Sequence, residues 1–485
     1  VFYNACLLLY NNHKVNKFLK EERRITVAVK LKRKSMFKRG FEKREKEAPI
    51  TLDQQQDLAV HARDNNVLVV AGAGSGKTRV LTERIKFLLE EGVPPCNIVA
   101  ITFTNMAAEE MKERLYDVEG IGDAFIGTIH SFANRVMKLS GENYRIYDDG
   151  IDNDFHRELI TKYCKSLTFD RYLEYKDMKT QEMMGKITEK ELNDFLIPSE
   201  QGELRLIERT QADIDYEISV AGSTQFPESI DTLCKARNVI TFEELLKRAE
   251  AYFRSINAEI EHVLVDEFQD VGSLEFNFID SLQADNYFLV GDDWQSIYSF
   301  KGGNVKIFMK LIEDGLFSVY YLTNNYRNSR AVLEIADTII SQVYSKIDKT
   351  IVPMSQEEGS VQLLSKRTIP VVLDSIKKDG NFRDYFILVR TNKDLFKMQE
   401  ICEENEVPFT TFKREGMSLA DLKRHMDSNR VKILTVHVSK GLEVKNVLLY
   451  GNFPVKCPNY MKDEEERKVM YVAVTRAKEN LVIMN

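Results

Sequence analysis

Short apolar runs rich in β-branched residues recur along the chain, at 67–70, 98–103, 125–128, 263–266, 288–291, 319–322, 385–389, 431–436 and 446–450. Between them, apolar residues return every three or four positions. Continuous apolar runs suit strands buried on both faces, and the intervening spacing suits crossover helices. The pattern therefore predicts an α/β fold of parallel sheets with helices on both faces. In such sheets ligands bind beyond the carboxyl ends of the strands. Residues 144–221 break the rhythm. They are rich in Lys, Glu, Asp, Leu and Tyr at helical spacing, without convincing strands, and predict a helical insertion. There are no internal repeats and no low-complexity tracts.

Composition changes this picture only at the edges. At 485 residues the chain exceeds what one core usually supports, so several domains are expected. Its apolar content of 43% and charged content of 29% are those of a globular protein. The six cysteines are scattered and never form CxxC, which argues against a zinc site or a disulfide framework and fits a reducing cytoplasm. No apolar stretch approaches the roughly 18 residues of a membrane helix, so no membrane partner is expected. The apolar residues 1–10 are few and lack a small-residue cleavage site, so a helix packed on the body is expected there rather than a signal peptide. The lack of an initiator Met suggests a fragment or a processed form.

A net charge of −7 excludes a wholly basic nucleic-acid glue. Residues 14–46, however, hold fourteen Lys or Arg against four Glu. They read either as a solvated helical arm (1–49) or as an extra surface for phosphates.

Residues 67–78 read VLVVAGAGSGKT: a strand, a small-residue loop, then Lys-Thr opening a helix. Glycines let backbone N–H groups turn inward around phosphates. Ala71, Gly72, Ala73, Gly74, Ser75 and Gly76 would form that cradle, although the strict pattern has Gly where Ala71 stands. Lys77 would neutralise the β- and γ-phosphates of ATP, and the Thr78 hydroxyl would bind Mg²⁺. The strand at 263–266 ends in Asp266-Glu267. Asp266 would hold the Mg²⁺ through water, and Glu267 would polarise the attacking water. Phosphoryl transfer also needs positive charge on the departing phosphate. Arg327 in NNYRNSR and Arg476 in YVAVTRAK are candidates, remote in sequence from Lys77, which would put ATP in a cleft between two domains.

Residues 291–303, GDDWQSIYSFKGG, join two kinds of chemistry. Gln295, beside Asp292 and Asp293, can feel a phosphate, while Tyr298, Phe300 and Lys301 offer two rings and a cation for stacking on bases. The chain's single tryptophan, Trp294, lies between them.

Ten segments in order carry a family resemblance: TLDQQQDLAV, AGAGSGKTRV, ITFTNMAAEEMKERL, GTIHSF, ITFEELL, VDEFQD, GDDWQSIYSFKGG, NNYRNS, ILTVHVSKGLEV and ERKVMYVAVTRAK. Together they resemble a superfamily 1 helicase of the UvrD/Rep type over 52–483. The resemblance implies two RecA-like motor domains. The first would comprise 50–143 and 222–305, with the 144–221 insertion, and the second 306–485. It implies that Gln56 and Arg79 recognise adenine, that Tyr326 stacks on it, and that Gln269 and Gln295 sense the γ-phosphate. Glu443 would lie on the ribose side, with Arg327 and Arg476 facing phosphate. Phe103, His130, Tyr298, Phe300, Lys301 and His437 match positions that touch single strands.

Several positions depart from the family pattern. Met106 replaces a usual Lys, Phe300 replaces a frequent Trp, and Trp294 resembles the helicase IV branch. Only residues 413–430 stand where UvrD and Rep insert the mobile 2B subdomain, so that insertion is reduced or absent. The expected activity is ATP-dependent translocation on single-stranded or tailed duplex DNA, with 3′→5′ polarity implied by the resemblance alone. The competing expectation is an ATP switch serving a protein partner, such as a nuclease or repair factor. Stacking chemistry by itself does not separate DNA from RNA.

Overall fold

β1 (Asn66–Ala71) and β2 (Ile98–Thr102) are apolar and buried along almost their whole length, whereas the edge strand β3 (Phe125–Thr128) is buried only in its middle. The structure, a computed structural model, describes residues 51–147, 157, 160–161, 164–183, 189–204, 238–256, 260–298, 305–412, 418–451 and 462–484. The expected basic arm 1–49, together with Phe300 and Lys301, lies outside the described residues.

The chain divides into two compact units, Val136–Tyr252 and the remainder. The smaller unit is mainly helical, with helices Phe169–Met183 and Glu189–Phe195 and a core of Ile160, Leu167, Tyr172, Leu196, Leu204 and Val239. It also contains a short parallel pair, β4 (Arg145–Ile146) with β5 (Val239–Ile240). Two residues on each side are too few to show as a sequence pattern. That pairing carries the unit beyond the expected 144–221.

The larger unit holds two six-stranded sheets. In the first, β6 (His262–Val265), β7 (Asn286–Gly291) and β8 (Ser318–Leu322) join the opening strands in the order β3-β2-β6-β7-β1-β8, and every pairing is parallel. β8 corrects the expected boundary at 305/306. Its residues 318–322 pair in register with 67–71 of β1, and Leu322 is buried in the first sheet's core. Next come β9 (Asn324–Asn325) and β10 (Val352–Pro353), a small parallel pair. The second sheet has the order β11-β16-β15-β12-β14-β13, again parallel throughout. Its strands are β11 (Ser360–Leu364), β12 (Tyr385–Val389), β13 (Phe409–Thr410), β14 (Val431–Thr435), β15 (Val444–Tyr450) and β16 (Ala477–Met484). All nine runs expected from the sequence are strands, and the fold class is the α/β class expected.

The carboxyl ends of β1, β2, β6 and β7 deliver the phosphate loop, Phe103, Asp266-Glu267 and the 291–298 loop respectively. β14 delivers His437, on the one-turn helix Val436–Ser439. The described part of 413–430 begins at Ser418 and contains the helix Leu419–Asp427, capped by the Ser418 side chain. Among the described residues no helix is long and apolar enough to cross a membrane.

Candidate functional site

The phosphate loop runs from β1 into the helix Lys77–Glu90. Gly74 and Gly76 have φ of 64° and 85°, in the left-handed region that glycine enters without strain. Space also dictates Gly74: a Cβ there would lie 2.7 Å from Cβ of Arg327. The Ser75 hydroxyl closes the loop on Gly72 O at 2.8 Å. Thr78 Oγ1 lies 3.3 Å from Asp266 Oδ2, and Lys77 Nζ lies 3.7 Å from Glu267 Oε2. Lys77, Thr78, Asp266 and Glu267 are thus brought together from two strand ends.

Glu267 occupies the left-handed region at φ 52°, a conformation that costs a non-glycine residue roughly 1–2 kcal/mol. Burial next to Glu267 pushes the Asp266 carboxyl well above its ordinary range. Burial would raise Glu267 as well, but Lys77 and Lys440 hold it low. Among the described residues no group of three or more His, Cys, Asp or Glu could hold a metal alone. A hydroxyl and one carboxylate beside a phosphate cradle instead fit an ion that keeps waters and phosphate oxygens as its other ligands, as Mg²⁺ does.

The two glutamines expected to sense a γ-phosphate are wired into the protein. Gln269 donates to Glu267 Oε2 and accepts from the Asp292 N–H at 2.8 Å. Gln295 donates to Asp292 Oδ2 and accepts from Arg476 Nη2 at 3.2 Å. Arg476 is 1% exposed and gives its remaining donors to Val472 O at 2.9 Å, Leu442 O at 3.1 Å and Thr475 Oγ1 at 3.2 Å. Burial, with Arg327 nearby, draws its pKa down to about 9. Arg327 pairs with Glu443 at 2.6 Å, and Lys478 reaches the other Glu443 oxygen at 2.7 Å. Burial opposes ionisation of Glu443, but the two cations outweigh it and hold the carboxyl at about 2.

The expected adenine residues also meet. Gln56 is 2% exposed, and its amide bridges Ser75 O at 2.9 Å and the Asp53 N–H at 3.2 Å. Tyr326 donates to Asp53, and Arg79 donates to Thr51 O at 2.7 Å. Gln56 therefore braces the phosphate loop from below, while Tyr326 presents an exposed ring.

Phe103, Tyr298 and His437 come together. The Phe103 and Tyr298 rings stack at 5.2 Å with an interplanar angle of 23°. Tyr298 and His437 lie 5.9 Å apart, and the Tyr298 hydroxyl donates to His437 O at 3.2 Å. Phe103 is exposed. His130 stands at the start of the helix Ile129–Ser140, and burial lowers its pKa.

Sequence reasoning missed the buried partners. Lys349 Nζ binds Asp292 at 2.8 Å and Asp293 at 2.7 Å, with all three side chains fully buried. Burial would lower the Lys349 pKa, but the two carboxylates raise it on balance. Trp294 packs edge-on against Tyr471 at 5.6 Å and donates to Ile347 O at 2.9 Å. Asn325 donates to Ala73 O at 2.6 Å, and Asn328 to Thr475 O at 3.1 Å, so the NNYRN segment ties the phosphate loop to the Arg476 loop. Both asparagines stand within a quoted motif, whereas nothing around Lys349 distinguishes it in sequence.

A glycine-rich phosphate loop after a parallel strand, facing a strand-end Asp-Glu pair, defines a P-loop nucleoside triphosphatase. Residues 52–315 match the UvrD/REP helicase N-terminal domain, and residues 413–485 match the UvrD-like helicase C-terminal domain. The chain belongs to the UvrD/Rep-type helicases of superfamily 1, and its enzyme class is that of an ATP-hydrolysing DNA helicase. It is 29% identical over 478 residues to a protein of Mycoplasma pneumoniae named "Probable DNA helicase", covering 90% of this chain and 83% of the relative. It is 31% identical over 362 residues to the ATP-dependent DNA helicase PcrA of Bacillus subtilis, covering 70% of this chain and 47% of that protein. DNA helicase II of Escherichia coli is 29% identical over 315 residues, which cover 62% of this chain and 41% of the relative. The chain thus spans about half the length, or less, of the PcrA and helicase II relatives.

Proposed function

We propose that this chain is an ATP-driven translocase on single-stranded DNA, moving 3′→5′ and separating tailed duplexes. The observation that supports this most is the loop 291–298. Within four residues it bonds the buried Arg476 through Gln295 and carries Tyr298, whose ring stacks on Phe103. A change at the phosphate end of that loop moves the stacking end by a path of only three residues. Polarity rests on the family resemblance.

In this reading Ala71 to Gly76 cradle the phosphates, and Thr78 and Asp266 hold Mg²⁺. Lys77, Arg327 and Arg476 stabilise the transferring phosphoryl group, and Glu267 orients the attacking water. Gln269 and Gln295 sense the γ-phosphate. Gln56, Arg79, Tyr326 and Glu443 surround the nucleoside, and Phe103, Tyr298, His437, His130, Phe300 and Lys301 track the strand. The two sheets are the motor domains, 136–252 is the insertion of the first, and the enzyme works in the cytoplasm.

The test is ATP hydrolysis with and without oligonucleotide, together with unwinding of 3′- and 5′-tailed duplexes. The reading expects hydrolysis to rise at least about tenfold with single-stranded DNA, and unwinding of the 3′-tailed duplex only. Turnover indifferent to DNA would sink it. Stimulated turnover without unwinding by the isolated chain would favour a switch acting with a partner nuclease or repair factor.

A further inference from the structure

Asp53 stands where two of the groups assigned to the base meet, yet it belongs to neither the nucleotide-binding residues nor the catalytic ones. It caps the helix Gln54–Val60, its Oδ1 accepting the Gln56 N–H at 2.8 Å. Its own N–H donates to Gln56 Oε1 at 3.2 Å, while Gln56 Nε2 donates to Ser75 O at 2.9 Å. Only one orientation of that amide makes both bonds, so the Asp53 backbone decides which end of Gln56 is which. The second carboxylate oxygen of Asp53 accepts from the Tyr326 hydroxyl, and from Asn324 Nδ2 at 3.1 Å. Beside it, the Gln55 amide accepts the Thr323 N–H at 2.8 Å and donates to Thr323 Oγ1 at 2.9 Å. Tyr326 is also held by its backbone N–H, which donates to Gly74 O at 3.0 Å. A ring fixed by its backbone and by its hydroxyl keeps one plane. Burial opposes ionisation of Asp53, but the Tyr326 hydroxyl and the Gln56 N–H lower its pKa on balance.

Stacking on a ring tolerates any base, because every base has a π-face. An amide edge discriminates: glutamine pairs bidentately with the N6–H₂ and N7 of adenine, where guanine offers only acceptors. That edge reads only a base held in register with it, and the ring plane sets the register. We infer that Asp53 is a positioning residue for base specificity, orienting Gln56 through its N–H and Tyr326 through its carboxylate so that adenine is held in register between them. This rests on the placement of the nucleoside in the proposed function. Releasing the ring should weaken the use of ATP and narrow the preference for ATP over GTP, leaving the chemical step to the phosphate side.

The experiment uses the full chain as wild type, Asp53→Ser, Asp53→Asn, Tyr326→Phe and the double variant Asp53→Ser/Tyr326→Phe. Serine and asparagine cap a helix about as well as aspartate, so the helix keeps its start. The one oxygen of serine serves the cap and leaves Tyr326 untied, whereas asparagine keeps a second polar atom there. Hydrolysis of ATP and of GTP is measured with and without saturating oligo(dT), and folding is followed by the fluorescence of the single Trp294, which is buried against Tyr471. Asp53→Ser and Tyr326→Phe should each raise KM for ATP about three- to tenfold, the cost of ordering one freed side chain, with the change falling on KM rather than kcat. The double variant should go no further than either single one, because both cut the same tie. Asp53→Asn should lie between Asp53→Ser and wild type, and the ratio of kcat/KM for ATP to that for GTP should narrow as KM rises. A KM within about twofold of wild type in Asp53→Ser overturns the inference, as do single effects that multiply in the double variant or a fall in kcat at unchanged KM. A wild type that uses ATP and GTP alike overturns it too, since no base is then being read. Turnover indifferent to oligo(dT) in the wild type sinks the translocase reading, while the KM comparison still decides the role of Asp53.

Discussion

Buried carboxylates gather on the loops of the first sheet, whereas several of their cations come from the segments after β8. Lys349 pairs with Asp292 and Asp293, and Lys440 pairs with Asp270. The division is incomplete: Lys77 lies beside Glu267 on the first side, and Glu443 sits between Arg327 and Lys478 on the second. Apolar packing crosses the same divide, with Ala73, Met106, Trp294 and Ile297 sharing one core with residues of the second sheet. An apolar contact holds whatever its surroundings, whereas a buried charge pair can be redistributed by a new anion such as a nucleoside triphosphate. The difference teaches that the charged contacts, not the apolar ones, are the part a bound anion can rearrange.

The largest expected break is Arg327→Ala. Taking a cation from the departing phosphate should lower kcat by roughly 10³–10⁵-fold, read as ATP turnover at saturating DNA. A loss under tenfold would assign Arg327 to its Glu443 pair rather than to phosphate. Next comes Lys349→Met, which strands two buried carboxylates. Stability should fall by about 3–5 kcal/mol, measured by urea unfolding. A change under about 1 kcal/mol would mean that neighbours such as Lys468 supply the missing charge.

Tyr298→Ala sharpens the comparison from the strand side. Single-strand affinity should weaken by about 1–3 kcal/mol in a fluorescence titration, with the KM for ATP in the absence of DNA changed far less. Equal effects on both would place Tyr298 in the packing alone. The smallest effect belongs to Lys423→Ala. Lys423 pairs with Glu113 from the Leu419–Asp427 helix, with side chains 40% and 23% exposed. Such a partly solvated pair is worth at most about 1 kcal/mol, and less in high salt. A drop of several degrees in melting temperature, persisting in molar salt, would contradict that.

Much of this architecture was legible because its signals are local. A phosphate loop is a strand, a bend and a helix start in one dozen residues, and the buried parallel strands are nearly pure apolar runs. β11 and β16 escaped notice for physical reasons. β11 is an edge strand with mixed polarity, SVQLL, and β16 carries the polar run Lys478-Glu479-Asn480 near its start before turning apolar. The 305/306 boundary was misplaced because β8 belongs by pairing to a strand some 250 positions earlier. At the site, the roles of Lys349 and Lys440 come from partners 56 to 170 positions away, which no local pattern announces. Trp294, read from sequence as a mark of branch, has a packing role against Tyr471.

The placement of β8 beside β1 has a consequence for how the protein is made. β1 closes at residue 71, but its neighbours β7 and β8 close only at residues 291 and 322. At about 5–20 residues per second, the phosphate-loop strand waits roughly 10–50 s with both edges bare. An apolar strand with bare edges is prone to pair wrongly in that interval. Birth of this motor is therefore slow and aggregation-exposed, and a holding chaperone should raise its soluble yield more than that of a chain whose first strand finds its neighbours at once.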